Sequence, residues 1–286
     1  MSGPLPAVVS TDWLAVALVR PGLGVIDGSW YLPGNGRDAR MEYIAGHIPG
    51  AVFFDLDASS DQTSPLPHML PSAVAFAERM TALGLRDSDD LVVYDGSGTN
   101  LSAARVWWTL RTFGHERVAI LDGGMDKWRR EHRPIEQGAV HRPAGQFAAR
   151  LDHAAVRHLS AIRANLRSGV EQVVDTRPAG RFSGVEPEPR PGLRRGHIPG
   201  SINLPFTELV RPDGTILPLD LLGKRVRDAG IDPDRPVVAT CGSGTSACAL
   251  VLGLHLLGHR HAAVYDGAWA EWGSQADTPI ERNPDR

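Results

Sequence analysis

The stretch PVVATCGSGTSA (236–247), running on into CALVLGLHLLG (248–258), is an apolar run, a glycine-punctuated loop and a second apolar segment. The pattern predicts a buried strand, a tight loop and a helix, with Cys241 at the strand-to-loop junction. Gly242 and Gly244 free the backbone to curl, so the N–H groups of residues 242–246 can turn toward the sulfur. The following helix adds its positive N-terminal end. Such a loop favours thiolate over thiol and is the seat of a nucleophile. A cysteine merely buried near a strand end needs no Gly and Ser after it. Cys248, seven residues on, is that ordinary case: one small apolar residue of a buried helix face. A disulfide between the two would have to join the loop to the second turn of its own helix, and CxxC or Cys/His metal spacings are absent.

Outward from this loop, the chain repeats itself. GHIPGA (46–51) returns as GHIPGS (196–201), and YDGSGT (94–99) as TCGSGT (240–245). LDGGMDKW (121–128) returns as YDGAWAEW (265–272), and VIDGSW (25–30) matches VVDTRP (173–178). The order is kept while the offset drifts between 150 and 144 residues, as in a duplicated domain with small loop changes. In the first half, strands are predicted at GVID, VFFDL, LVVYD and VAILD, with helices near 11–19, 72–83, 101–113 and 124–130. In the second they fall at QVVD, SINL, PVVAT and AAVYD, with helices near 158–167, 219–229, 246–257 and 268–273. Continuous apolar strands alternating with helices define an α/β chain of two homologous domains, each a mainly parallel sheet flanked by helices on both faces. Residues 1–138 form the first domain, the Gly/Pro-bearing, aperiodic stretch 139–153 the linker, and 154–286 the second domain.

Composition agrees. A chain of 286 residues is long enough for two cores, and 42% hydrophobic with 22% charged residues describes a globular protein. A net charge of −3 gives no reason to expect nucleic acid or an anionic membrane as partner. Two cysteines do not make a disulfide framework and suit a reducing, cytoplasmic setting. The N-terminal stretch lacks a basic region before a long apolar run, so no signal or transit peptide is expected, and no run is long enough to span a bilayer.

The two halves differ where chemistry is at stake. Asp95 stands where the second half has Cys241, so one nucleophile per chain is expected, with Asp95 a capping or structural residue. His47 and His197 recur in both GHIPG motifs although one half alone has the cysteine, which marks them as structural. A phosphate-binding Cys-x5-Arg loop is excluded by counting, because the sixth residue after Cys241 is Ala247. Neither GSG run ends in the Lys-Ser/Thr of a nucleotide-binding loop.

These residues resemble the tandem rhodanese-type sulfurtransferases over nearly the whole chain, with an inactive first domain and a catalytic second one. CGSGTSA is similar to the loop of members that use 3-mercaptopyruvate. Thiosulfate-preferring members usually carry basic residues directly after the cysteine, where this chain has Gly242 and Ser243. The family's two substrate-binding arginines match Arg181 and Arg190, which bracket RFSGVEPEPR. This Gly/Pro-punctuated stretch is expected to be no regular helix and to lie over a strand end. Ser183 replaces an arginine found in some members. The resemblance makes Asp57 and His68, in FFDLDASSDQTSPLPHMLP (53–71), partners of Ser243 in a proton relay. It places the donor among Gly242, Gly244, Thr245 and Ser246.

The activity implied is sulfur transfer from 3-mercaptopyruvate, or alternatively thiosulfate, through a Cys241 persulfide. The acceptor would be thioredoxin, a small thiol or, in an assay, cyanide. No metal, flavin or nucleotide is implied; the covalent persulfide itself carries the sulfur. A non-turnover sulfur carrier or binding protein is the reading from another class.

Overall fold

The computed structural model describes residues 5–283. The chain divides into two compact units. The first comprises Met1–Gln62, Leu70–Asp152 and Arg211–Ile216; the second comprises Thr63–Met69, His153–Val210 and Leu217–Arg286. A short piece of each half of the sequence is thus built into the other unit. His68 belongs with Cys241 for this reason, not with the residues that flank it in sequence.

The first unit runs β1 (Val8–Val9), α1 (Thr11–Ala17), β2 (Leu23–Asp27), α2 (Ala39–Ala45), β3 (Ala51–Phe53), α3 (Ala73–Ala82), β4 (Asp90–Tyr94), α4 (Leu101–Thr112), β5 (Val118–Leu121) and α5 (Gly124–Arg130). Its strands form one sheet in the order β1-β5-β4-β2-β3, every pair parallel. The second unit runs β6 (Val156–Arg157), α6 (Leu159–Ser168), β7 (Gln172–Asp175), α7 (Ala179–Ser183), β8 (Ile202–Asn203), α8 (Leu219–Asp228), β9 (Val237–Thr240), α9 (Ala247–Leu256), β10 (Ala262–Tyr265) and α10 (Ala268–Trp272). Its order, β6-β10-β9-β7-β8, repeats the first, again parallel throughout.

Successive residues of a strand face opposite sides of its sheet, and every residue of β5, β7 and β9 is buried. Both faces are therefore covered, which is why these strands read as unbroken apolar runs rather than as alternations. Trp128 plugs the first core beside Tyr94 and Leu121; Trp269 and Trp272 plug the second beside Val238 and Tyr265. The GHIPG pair is structural in both units. His47 stacks on Tyr43 and bonds its carbonyl at 2.8 Å, and His197 stacks on Phe182 and bonds that carbonyl at 2.7 Å. Each sits in an antiparallel bridge, to Glu136 and Glu281.

One expectation is corrected. The stretch after Pro178 contains a single helical turn, α7, which includes Arg181 and Ser183. Pro178 needs no N–H at the helix start, and Gly184 at φ 85° supplies a left-handed stop, so five residues of helix fit before the irregular loop. Two elements escape the sequence pattern in each half: the two-residue edge strands β1 and β6, and the short helices α2 and α7. The stretch after α5 is no free tether. Gly145 N–H donates to Thr81 O at 2.8 Å, Arg150 N–H to Phe113 O at 3.0 Å, and buried Phe147 packs edge-on against Phe76. No helix among the described residues is long and apolar enough to cross a membrane.

Candidate active site

In the second sheet β9 and β7 are neighbours, with Asp175 opposite Thr240 in register. From β7 the chain passes to β8 on one side, and from β9 to β10 on the other. Strand order reverses between them, so the loops leaving their carboxyl ends diverge around a crevice. Cys241 leaves β9 and Thr176-Arg177 leaves β7 at this point.

Cys241 is 2% exposed, and both cysteines are free thiols. Its loop is held from several sides. Trp269 N–H donates to Cys241 O and Ala270 N–H to Gly242 O, each at 2.9 Å. Gly244 turns the chain at φ 77°, a left-handed conformation that side chains with a Cβ resist. The Ser246 and Thr176 hydroxyls bond at 2.9 Å, tying the end of the loop to β7. Cys248 lies in α9 with no exposed surface and donates its S–H to Gly244 O at 3.2 Å, the packed helix residue expected.

His68 is buried and adopts φ 61°, a left-handed conformation uncommon for a non-glycine residue. Its Nδ1 lies 3.1 Å from Ser243 Oγ and 3.0 Å from Thr245 Oγ1. Two hydroxyls of the cysteine loop therefore converge on one ring nitrogen. Asp57 belongs to the first unit, where its carboxylate accepts from Trp30 Nε1–H at 2.9 Å.

Arg181 on α7 stands against the loop. A methyl group at position 242 would lie 3.0 Å from Arg181 Nη2, tighter than an ordinary van der Waals contact, so Gly242 lets the guanidinium approach the backbone beside Cys241. Arg190 is half-buried in the irregular stretch that follows α7. Ser183 is buried and donates to Gly180 O at 3.2 Å, serving the turn of α7.

Sequence reasoning missed a charged cluster beneath Arg181. Arg177, 1% exposed, bonds Asp175 through Nε at 3.0 and 3.1 Å and through Nη2 at 2.6 Å. Its Nη1 donates to Glu188 at 2.6 Å, and its plane lies 4.3 Å from the Trp269 ring centroid. Burial alone would lower the Arg177 pKa, but Asp175 and Glu188 overcome it and hold the group above its ordinary value. The signal was in VVDTRP, whose Asp-x-Arg places both charges in one strand-end turn.

The corresponding loop of the first unit is occupied by its own side chain. Asp95 Oδ1 accepts from Ser97 N–H at 2.8 Å and from its hydroxyl at 2.6 Å; Oδ2 accepts from Ala103 N–H at 2.8 Å and the Ser102 hydroxyl at 3.1 Å. The Asp95 carboxylate thus takes up donors from its own loop and from the first turn of α4. Among the described residues no group of three or more His, Cys, Asp or Glu is arranged to hold a metal ion.

Residues 36–131 and 159–275 match the family model of the rhodanese-like domain. A 3-mercaptopyruvate sulfurtransferase of Escherichia coli (strain K12) is 46% identical over 274 residues, spanning 96% of this chain and 97% of its own. A thiosulfate sulfurtransferase of Cricetulus griseus is 42% identical over 276 residues, spanning 94% and 93%. The crystal structure of SseA from Escherichia coli, described as a 3-mercaptopyruvate sulfotransferase with the rhodanese fold, superposes with a TM-score of 0.85 at 44% identity. It covers 92% of this chain and 98% of that one.

Proposed function

Because the chain belongs to the rhodanese family, with one rhodanese-like domain in each half, we propose that it is a sulfurtransferase taking sulfur from 3-mercaptopyruvate and releasing pyruvate. The relatives of that activity, matched over nearly their full length, support the donor. Cys241, the cysteine at the strand-order reversal, carries the sulfur. The contact of Nδ1 of His68 with the Ser243 and Thr245 hydroxyls supports this assignment most directly, because it sets a proton acceptor over the cysteine loop.

The steps follow from these groups. The Cys241 thiolate attacks the sulfur of 3-mercaptopyruvate, and an S–S bond forms as the C3–S bond breaks. The bonding pair leaves with the three-carbon fragment as pyruvate enolate. The substrate's thiol proton passes through the Ser243 hydroxyl to His68, which returns it to the enolate carbon to give pyruvate. The persulfide left on Cys241 lies among the N–H groups of 242–246, which stabilise its negative outer sulfur. A thiol acceptor, a thioredoxin or a small thiol, then removes that sulfur, so the kinetics are ping-pong.

Arg181 binds the keto acid's carboxylate, as a planar guanidinium does in bidentate fashion, with Arg190 as the second cation. The same arginine disfavours a long basic side chain at position 242, the place where the resemblance usually gives thiosulfate-preferring members a basic residue. Thiosulfate is accordingly the weaker donor. The test is pyruvate release and cyanide-dependent thiocyanate formation with each donor. Faster turnover of 3-mercaptopyruvate by kcat/KM supports the reading; turnover of thiosulfate alone overturns it.

A further inference from the structure

Glu188 joins two arginines of different character. Its side chain is 2% exposed; Oε1 accepts from Arg177 Nη1 at 2.6 Å, and Oε2 accepts from Arg181 Nε at 3.2 Å and from Arg181 Nη2. Arg177 is as buried as its partner Asp175, whereas Arg181 is 20% exposed. The carboxylate therefore links an anchored, unreachable cation to one that faces the crevice.

Two consequences follow from the donor inventory of a guanidinium. Arg181 has five N–H groups, and Glu188 engages Nε–H and one on Nη2. The end-on edge, Nη1 with the other Nη2 proton, is left to meet a second carboxylate, and Nη2 is the atom that abuts Gly242. Glu188 thus fixes which edge of Arg181 is offered beside the cysteine loop. The second consequence is electrostatic. Asp175, Arg177, Glu188 and Arg181 carry two negative and two positive charges, so the quartet is neutral. A site backed by a neutral quartet suits a donor with one carboxylate and an uncharged thiol better than a compact dianion.

We propose that Glu188 is a positioning and specificity-determining residue: it aims Arg181 and cancels its excess charge, selecting a singly charged α-keto acid over a dianionic sulfur donor. The proposal rests on the reading of Arg181 as the carboxylate's partner. Glu188→Gln keeps the size of the side chain and one acceptor oxygen while removing one negative charge, which leaves the quartet at a net charge of +1. Expected is a rise in KM for 3-mercaptopyruvate greater than the fall in kcat. The ratio of kcat/KM values, 3-mercaptopyruvate over thiosulfate, should shift toward thiosulfate by roughly tenfold or more.

Equal losses with both donors would make Glu188 a structural residue only and overturn the proposal; so would an unchanged ratio. Glu188→Asp, which keeps the charge and shortens the reach, should lower both rates while holding the wild-type ratio. Should Glu188→Gln fail to fold, Glu188→Ala, which also removes the negative charge, is read in its place: a ratio shifted toward thiosulfate upholds the charge argument and a retained ratio overturns it. Wild-type protein that releases no pyruvate from 3-mercaptopyruvate would instead sink the donor assignment, and the two failures are read separately.

Discussion

The ring nitrogen Nδ1 of His68 lies 3.1 Å from the hydroxyl of Ser243, although 175 residues separate them in sequence. The contact exists because Thr63–Met69 is built into the second unit, which holds β7, β9 and the cysteine loop. Thr245 Oγ1 reaches the same nitrogen at 3.0 Å. Proton transfer by a positioned group contributes about 10²–10⁴-fold to rate, and His68→Ala should lower kcat for pyruvate release by that order. Ser243→Ala should cost much of it, because that hydroxyl passes the proton on, and Thr245→Ala less, because it removes only one of two holds on the ring. The double variant Ser243→Ala/Thr245→Ala should approach His68→Ala, a non-additive pattern typical of groups sharing one partner. Independent, multiplying effects of the two hydroxyls would contradict this.

Gly242 is the second test point. Its missing Cβ leaves Arg181 Nη2 against the loop, with 3.0 Å to the place a methyl would occupy. Gly242→Ala should raise KM for 3-mercaptopyruvate modestly. Gly242→Arg, with like charge and bulk, should push Arg181 aside and raise that KM far more, leaving unfolding by urea little changed. A KM for Gly242→Arg equal to that of wild type would remove Arg181 from the site.

Asp27, buried at the end of β2, occupies the place in the first unit that Asp175 takes in the second. Where Arg177 pairs with Asp175, the first unit has Ser29. Burial pushes Asp27 up to about 6 from the usual 3.8 of an aspartate, against the Ser29 hydrogen bonds that lower it. A raised carboxylate pKa means that the folded state binds the proton more tightly than the unfolded one. Stability from this group is therefore greatest below pH 3.8, falls as pH rises from about 4 to 6, and is flat above. The loss is on the order of 3 kcal/mol by pH 7, at about 1.36 kcal/mol per unit. Asp27→Asn keeps an acceptor for Ser29 N–H and removes the titration. Urea unfolding should show the variant gaining on wild type between pH 4 and 7. Parallel curves would contradict the assignment.

The sheets were legible because parallel strands covered on both faces must be apolar throughout: LVVYD and PVVAT announce β4 and β9 directly. The cysteine loop was legible because its glycines and its Asp95 counterpart sit in a repeat that the chain itself supplies. The Arg177–Glu188–Arg181 cluster was not, because no spacing rule says that a glutamate in an irregular loop will reach two arginines at once. α7 was hidden by its own stop signals, which permit one turn while reading as a loop. His68 was named by resemblance, but its bond to Thr245 depends on the path of residues 63–69, which no local pattern encodes.

Whether Cys241 carries the transferred sulfur is read from the intact mass of the protein after exposure to 3-mercaptopyruvate. Wild type should gain the mass of one sulfur atom, lose it on addition of a thiol acceptor, and release one pyruvate per sulfur gained. Cys241→Ser should gain none while Cys248→Ser behaves as wild type. Sulfur retained by Cys241→Ser, or absent from Cys248→Ser, would contradict the account.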